Sequence, residues 1–178
     1  MTKFIKCKDN YKPTVIHSHD GIEYKKLPWK WRRKYKYELT QAHTMLLRDL
    51  PAGVQLKEHR SKYIVLTKNS HGEWWLTVKE GYRWDGVSGP TWDTDNTMRG
   101  GLIHDVLFQL MRGRVLAQNC FEWVNRLFRN ILLEDDICMF RASYYFWAVQ
   151  HFAHRYARPK GPDYTLTAGY VYPGEKPK

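Results

Sequence analysis

The side chains in this 178-residue chain best equipped for chemistry are the adjacent pair His104-Asp105 and the upstream acid Asp85. Asp85 opens Asp85-Gly86-Val87-Ser88-Gly89-Pro90, a loop broken by glycine and proline. The pair sits inside Gly100-Gly101-Leu102-Ile103-His104-Asp105-Val106-Leu107-Phe108, an apolar segment. An imidazole and a carboxylate on such a segment are costly to bury unless partners or a metal satisfy them. His104 is therefore a candidate general base, with Asp105 and Asp85 as its catalytic companions. The same three residues, Asp85, His104 and Asp105, form a candidate metal set, with Asp93 and Asp95 as further oxygen donors. One imidazole among several oxygens suits a divalent cation, calcium or another, better than structural zinc. Consecutive residues on a helix point about 100° apart, so His104 and Asp105 can share one site only at a helix edge. The alternative is a polar clasp that pins loop to helix, with His104 bonded to Asp85 or to a carbonyl and Asp105 paired with Arg112 or Arg99. His151 and His154, three apart, are a further spacing that can ligate metal, but no third ligand accompanies them. Nucleophile elbows, phosphate-binding glycine loops and zinc-ligand spacings are absent.

The elements that must position these residues follow from periodicity. Residues 36–48 read as a strand. Tyr63–Thr67 and Trp74–Val78, joined by Asn69-Ser70-His71-Gly72, read as a hairpin, and Tyr82–Trp84 as a short strand entering the Asp85-Gly86 break. Behind the break the period becomes helical. Thr97–Arg112 places Leu102, Val106, Gln109 and Leu110 on one face, and Leu116–Leu133 does the same with Cys120, Val124, Leu127, Phe128 and Ile131. A third helix, capped by Asp135 or Asp136 and running to about Arg155, is expected to bury Phe140, Phe146, Trp147 and Val149. The expected organisation is a basic arm over 1–35, one α+β domain over 36–158 and an extended tail over 159–178. In that domain an antiparallel sheet (36–84) precedes a three-helix cluster (about 97–155) packed on it.

The net charge of +11 is concentrated at one end. Residues 1–48 hold twelve Lys and Arg against four acids, whereas residues 90–178 hold eleven against nine. Lys30, Trp31, Arg32, Arg33 and Lys34 interleave cations with aromatics, as a surface that grips phosphates and stacks bases would; the wider stretch 25–36 is a candidate nucleic-acid segment, and also reads as a half-exposed strand. Cys7, Cys120 and Cys138 are odd in number and widely spaced, which argues against a disulfide scaffold. No apolar run reaches the roughly 20 residues of a membrane span, and the first residues lack the apolar core of a signal peptide. A soluble protein made in a cytoplasm is expected.

Asp85-Gly86-Val87-Ser88-Gly89-Pro90, then Leu102-Ile103-His104-Asp105-Val106-Leu107-Phe108, then Arg114, Ala117 and Phe121, and finally Tyr145 and Ala148-Val149, resemble the domain-of-unknown-function 1353 family. That family is encoded mainly by tailed bacteriophages and prophages, and the resemblance covers roughly residues 60–155. It implies a phage protein in the host cytoplasm or the virion, with a phage or host protein as partner, and implies little about activity. Two positions depart from the family pattern: Ala117-Gln118 stands where an Ala-Asp is usual, and Phe108 where an aromatic hydroxyl is expected. Gln118 keeps the capacity to hydrogen-bond but not to carry a proton in catalysis. A remoter likeness is to the His-Asp helix of secretory phospholipases, which implies His104 as base and Asp105 as calcium ligand, with loop carbonyls near Gly86 to Gly89. Three functions are thus expected to compete. They are an accessory or virion-associated phage protein, a small metal-dependent hydrolase using His104, and a nucleic-acid binder working through the basic segment.

Overall fold

In the computed structural model the described residues are 3–5, 14–19, 21–28, 35–54, 56–87 and 93–159, the first two segments as backbone strands. Among the described residues nine strands precede the helices: β1 (Lys3–Ile5), β2 (Thr14–His19), β3 (Ile22–Lys26), β4 (Tyr37–Leu39), β5 (His43–Leu47), β6 (His59–Arg60), β7 (Ile64–Lys68), β8 (Trp74–Val78) and β9 (Arg83–Trp84). They form two antiparallel sheets, a five-stranded one ordered β1-β2-β3-β4-β9 and a four-stranded one ordered β5-β8-β7-β6. The helices are α1 (Met98–Arg112), α2 (Phe121–Glu134), α3 (Met139–Phe152) and the short α4 (His154–Ala157). The fold is α+β, antiparallel sheets first and helices after, as expected.

The hairpin β7–β8 forms in the register its alternation demands, with Leu66 opposite Leu76 and Ile64 opposite Val78, all four essentially inaccessible. Asn69 closes the turn by accepting from the backbone N–H of His71 and Glu73. The expected single strand over 36–48 instead divides between the two sheets. Tyr37 and Leu39 point into the core of the first sheet, and the polar step Thr40-Gln41-Ala42 then turns the chain, so that His43–Leu47 pairs with β8. The sheet also reaches back into the segment read as a basic arm. Ile22, Tyr24 and Leu27 are buried, and β3 pairs with β4. Tyr24, Tyr37 and Trp84 meet as an aromatic triad with ring centroids 5.6–5.8 Å apart.

Helix α2 presents Val124, Phe128 and Ile131 to the core, as its period requires, with Cys120 buried just ahead of its first turn. Helix α3 corrects the expected burial. It turns Ala142, Tyr145, Ala148 and Val149 inward, and leaves Phe140 87% and Trp147 47% exposed. Its sequence is apolar nearly all round, so periodicity does not choose a face, and the two alanines select the close approach to α2. Asp135, expected as a cap for this helix, is instead buried and holds Arg99 in a two-point guanidinium–carboxylate pair; Arg99 reaches Glu134 as well, at 2.9 Å. Burial disfavours the charged guanidinium here, yet these two acids hold Arg99 above its ordinary range.

Removing one partner from such a pair strands a buried charge, which costs about 3–5 kcal/mol. Arg99→Ala is expected to lower unfolding stability by about that amount in denaturant titration. Glu134→Ala, removing the exposed arm, is expected to cost less than about 1 kcal/mol.

Candidate functional site

The loop from β9 into α1 is built around one acid. Gly86 adopts φ 84°, in the left-handed region, and a Cβ there would collide with the Asp93 carboxylate. That carboxylate accepts from the Val87 backbone N–H at 2.8 Å, from the Tyr37 hydroxyl at 3.0 Å and from Lys36 at 3.4 Å. Asp95 accepts from the Tyr24 hydroxyl at 2.8 Å, and burial with this acidic neighbour drives the Tyr24 phenol far above its usual range. The loop is thus tied to β3 and β4 before the helix starts. Thr94 and Thr97 then bond reciprocally across the helix entry.

Helix α1 receives two neighbours through two consecutive glycines. A Cβ on Gly100 would stand 3.0 Å from Leu132 and 3.2 Å from Phe128, and one on Gly101 would stand 3.2 Å from Val87. Gly100 therefore admits α2, and Gly101 admits the loop. One turn later the two polar residues repeat the division. His104 lies on the Gly100 stripe and Asp105 on the Gly101 stripe, as i, i+4 spacing requires.

His104 is 8% exposed and bonds through Nε2 to the Asn125 side-chain oxygen at 2.9 Å. Asn125 donates its amide N–H to Gln150 on α3 at 2.7 Å, so its oxygen faces the imidazole and Nε2 carries the proton. Phe108 and Phe128 flank the ring, with centroids 4.0 and 5.0 Å away. Burial is the main cause that lowers the imidazole to about 4, the Asn125 bond opposing it and the Arg112 charge adding to it. This histidine is neutral at ordinary pH.

Asp105 looks the other way, to Asp85. The Asp85 carboxyl lies within hydrogen-bonding reach of it. Burial first, then the Asp85 charge and hydrogen bond, push Asp105 well above the usual carboxylate range; Arg112 opposes this and Asp93 adds to it.

The structure therefore brings Asp85 to Asp105 and His104 to Asn125, and divides the expected trio between two faces of α1. Asp85 is not the partner bonded to the imidazole, and the Arg99 alternative for Asp105 is overturned because Arg99 serves Asp135 and Glu134. Among the described residues no group of three or more His, Cys, Asp or Glu stands where it could hold a metal ion. His151 bonds the Trp147 carbonyl, while His154 packs on Phe121 and accepts from Arg158, so the two do not act as a pair. Gln118 ties the end of α1 to α4 by donating to the Met111 and Ala157 carbonyls at 3.2 and 3.1 Å. Lys30, Trp31, Arg32, Arg33 and Lys34 lie outside the described residues. An open cleft of about 910 Å³ runs between β5 and α2, lined by Arg48, Arg99, Glu122 and Arg126 among others, and none of the candidate trio lines it.

No protein-family model, curated protein or solved structure matches the chain. Sequence reasoning missed Asn125 and Gln150, polar residues on helices read mainly for their apolar faces; their spacing relative to His104 has no local signature.

The two titrations have opposite signs. Asp105 keeps its proton longer when folded, so its contribution is complete below about pH 4, the unfolded carboxylate range, and is lost as pH rises through its folded value. His104 must be neutral to stay buried, so stability falls as pH drops from 6.5 towards about 4. Between these limits the two oppose each other. Asp105→Asn, which still donates to Asp85, is expected to melt higher than the native protein at neutral pH and to lose stability more steeply on acidification. Parallel melting profiles for the two proteins would contradict this assignment.

Proposed function

We propose that this chain is a bacteriophage accessory or virion-associated protein that acts by binding a phage or host protein, and that residues 85–105 are a lock between loop and helices rather than a reaction centre. One observation carries the choice against catalysis: His104 and Asp105 are satisfied by different neighbours on different faces of α1. A general base must reach a water or substrate with a free lone pair. The Asn125 bond uses Nε2–H and leaves Nδ1 as the basic atom, but the ring is only 8% exposed between two phenyl rings and neither Asp85 nor Asp105 is bonded to it. The two acids face each other instead. The phage assignment rests on the resemblance of the Asp85–Pro90 and Leu102–Phe108 motifs. The family's expected acid is Gln118 here, used to hold two backbone carbonyls, which agrees with a structural part for that position.

The hydrolase alternative would need His104 opened to solvent and a cation between Asp85 and Asp105. The nucleic-acid alternative rests on residues 25–36, and two of its cations are already engaged: Lys25 pairs with Glu38 at 2.6 Å and Lys36 with Asp93 at 3.4 Å.

The test is metal content together with His104→Ala. The purified protein is expected to carry no stoichiometric divalent cation and to show no calcium-dependent rise in melting temperature. His104→Ala is expected to destabilise by about 3 kcal/mol, from a cavity beside two phenyl rings and an unpaired Asn125 oxygen. A His104→Ala protein that keeps its stability but loses a bound cation would overturn the reading in favour of the hydrolase. Mass spectrometry of purified particles separates a virion component, present in fixed copy number, from a factor directed at the host. Binding to nucleic acid that falls steeply with salt would instead favour the third function.

A further inference from the structure

Helix α3 carries an exposed row spaced four, three and four residues apart: Phe140, Tyr144, Trp147 and His151. Their flanks are Met139, 69% exposed, and Phe152, 57% exposed. A row with this 3.5-residue spacing is the seam of one helix lying along another. Full side-chain areas are on the order of 150–250 Å² for aromatics. At these exposures the patch amounts to roughly 600 Å², at the upper end of what a monomer leaves open and near the ~800 Å² each partner gives to a standard interface.

We propose that this face is the contact between two copies of the chain, packed as antiparallel α3 helices about a two-fold axis between Tyr145 and Phe146. The row is symmetric about that point. Tyr144 of one copy meets Trp147 of the other and Phe140 meets His151, with Met139 and Phe152 on opposite flanks of the seam. The same antiparallel packing also brings Asp136, exposed just before α3, towards the end of the partner's face where Arg155, exposed on α4 and bonded to the Tyr156 hydroxyl, lies. These are complementary charges, and no other acid lies anywhere in residues 137–162. The neighbouring acids Glu134 and Asp135 are occupied by Arg99. Antiparallel packing also sets the positive end of each helix beside the negative end of the other. A self-complementary patch of this kind defines a closed dimer rather than a chain of subunits. The inference does not depend on the phage reading, since it rests on α3 alone.

Sedimentation velocity of the full chain across micromolar concentrations tests it. A reversible dimer is expected. Trp147→Ala is expected to raise its Kd at least about tenfold while far-ultraviolet circular dichroism and melting temperature stay close to native, because the side chain is half-exposed. Asp136→Lys and Arg155→Glu are each expected to weaken the dimer, and the double variant to regain most of the loss, because the two positions approach each other only across the axis. A protein that is monomeric at every concentration overturns the proposal, as does a dimer indifferent to Trp147→Ala. A double variant no tighter than the singles overturns the antiparallel arrangement. A monomer whose Trp147 instead drives binding to vesicles of anionic phospholipid assigns the face to a membrane surface and overturns it too.

Discussion

Helix α1 must satisfy two neighbours at once, and the angular step between its consecutive residues governs everything packed around it. Gly100 lets α2 approach and Gly101 lets the Gly86-Val87 loop approach, each by leaving out a side chain. One turn on, His104 and Asp105 face the same two neighbours and bond to them. Adjacent residues about 100° apart cannot converge on a small ligand unless both sit at an edge facing solvent. Here the two stripes are separately covered. The paired glycines and the His-Asp pair are therefore one device written twice, close approach followed by a directional bond.

The loop end of this device carries a local excess of negative charge. Asp85, Asp93 and Asp105 lie within electrostatic reach of one another. Asp93 is relieved by the Tyr37 hydroxyl, Lys36 and a backbone N–H, while burial and the Asp85 carboxyl favour the neutral form of Asp105. A carboxyl held towards its neutral form beside another acid avoids most of the cost of burying a second charge. The arrangement fixes the conformation of Gly86 as well, because Asp93 occupies the space a Cβ would need. Loop, sheet and helix are consequently locked by side chains whose hydrogen-bonding capacity is largely used within the protein.

How legible this was depends on the range over which each signal acts. The β7–β8 hairpin and the core face of α2 could be read from sequence because two local periods, two and 3.6, dictate them. The importance of Asp85, His104 and Asp105 was also legible, since polar residues beside glycines in an apolar segment must find partners. Which partners they find was not. Asn125 and Gln150 belong to other helices, and which neighbour each face of α1 meets is fixed by tertiary packing that no local pattern encodes. The split of residues 36–48 between two sheets was hidden for a related reason: both pieces are good strands, and only pairing with β9 in one case and β8 in the other separates them.

Helix α3 shows the limit of pattern reading from the opposite side. Its apolar residues surround the axis, so hydrophobicity gives no preferred face, and the physical choice falls to size. Ala142 and Ala148 permit a close approach that Phe140 and Trp147 would prevent, and the burial of Tyr145 is helped by Arg141, which bonds its hydroxyl and reaches Thr94 in the site loop. The large aromatics are left outward as the remainder of that choice. Leaving such side chains in water forgoes about 1.5–3 kcal/mol for each that could have been buried. A sequence that retains several at one seam spacing, beside a helix already well packed on its inner face, is better explained by a second packing partner than by tolerance. The same chain thus divides its polar and apolar resources in space: hydrogen-bonding groups are consumed internally at α1, and uncommitted apolar area is held at α3.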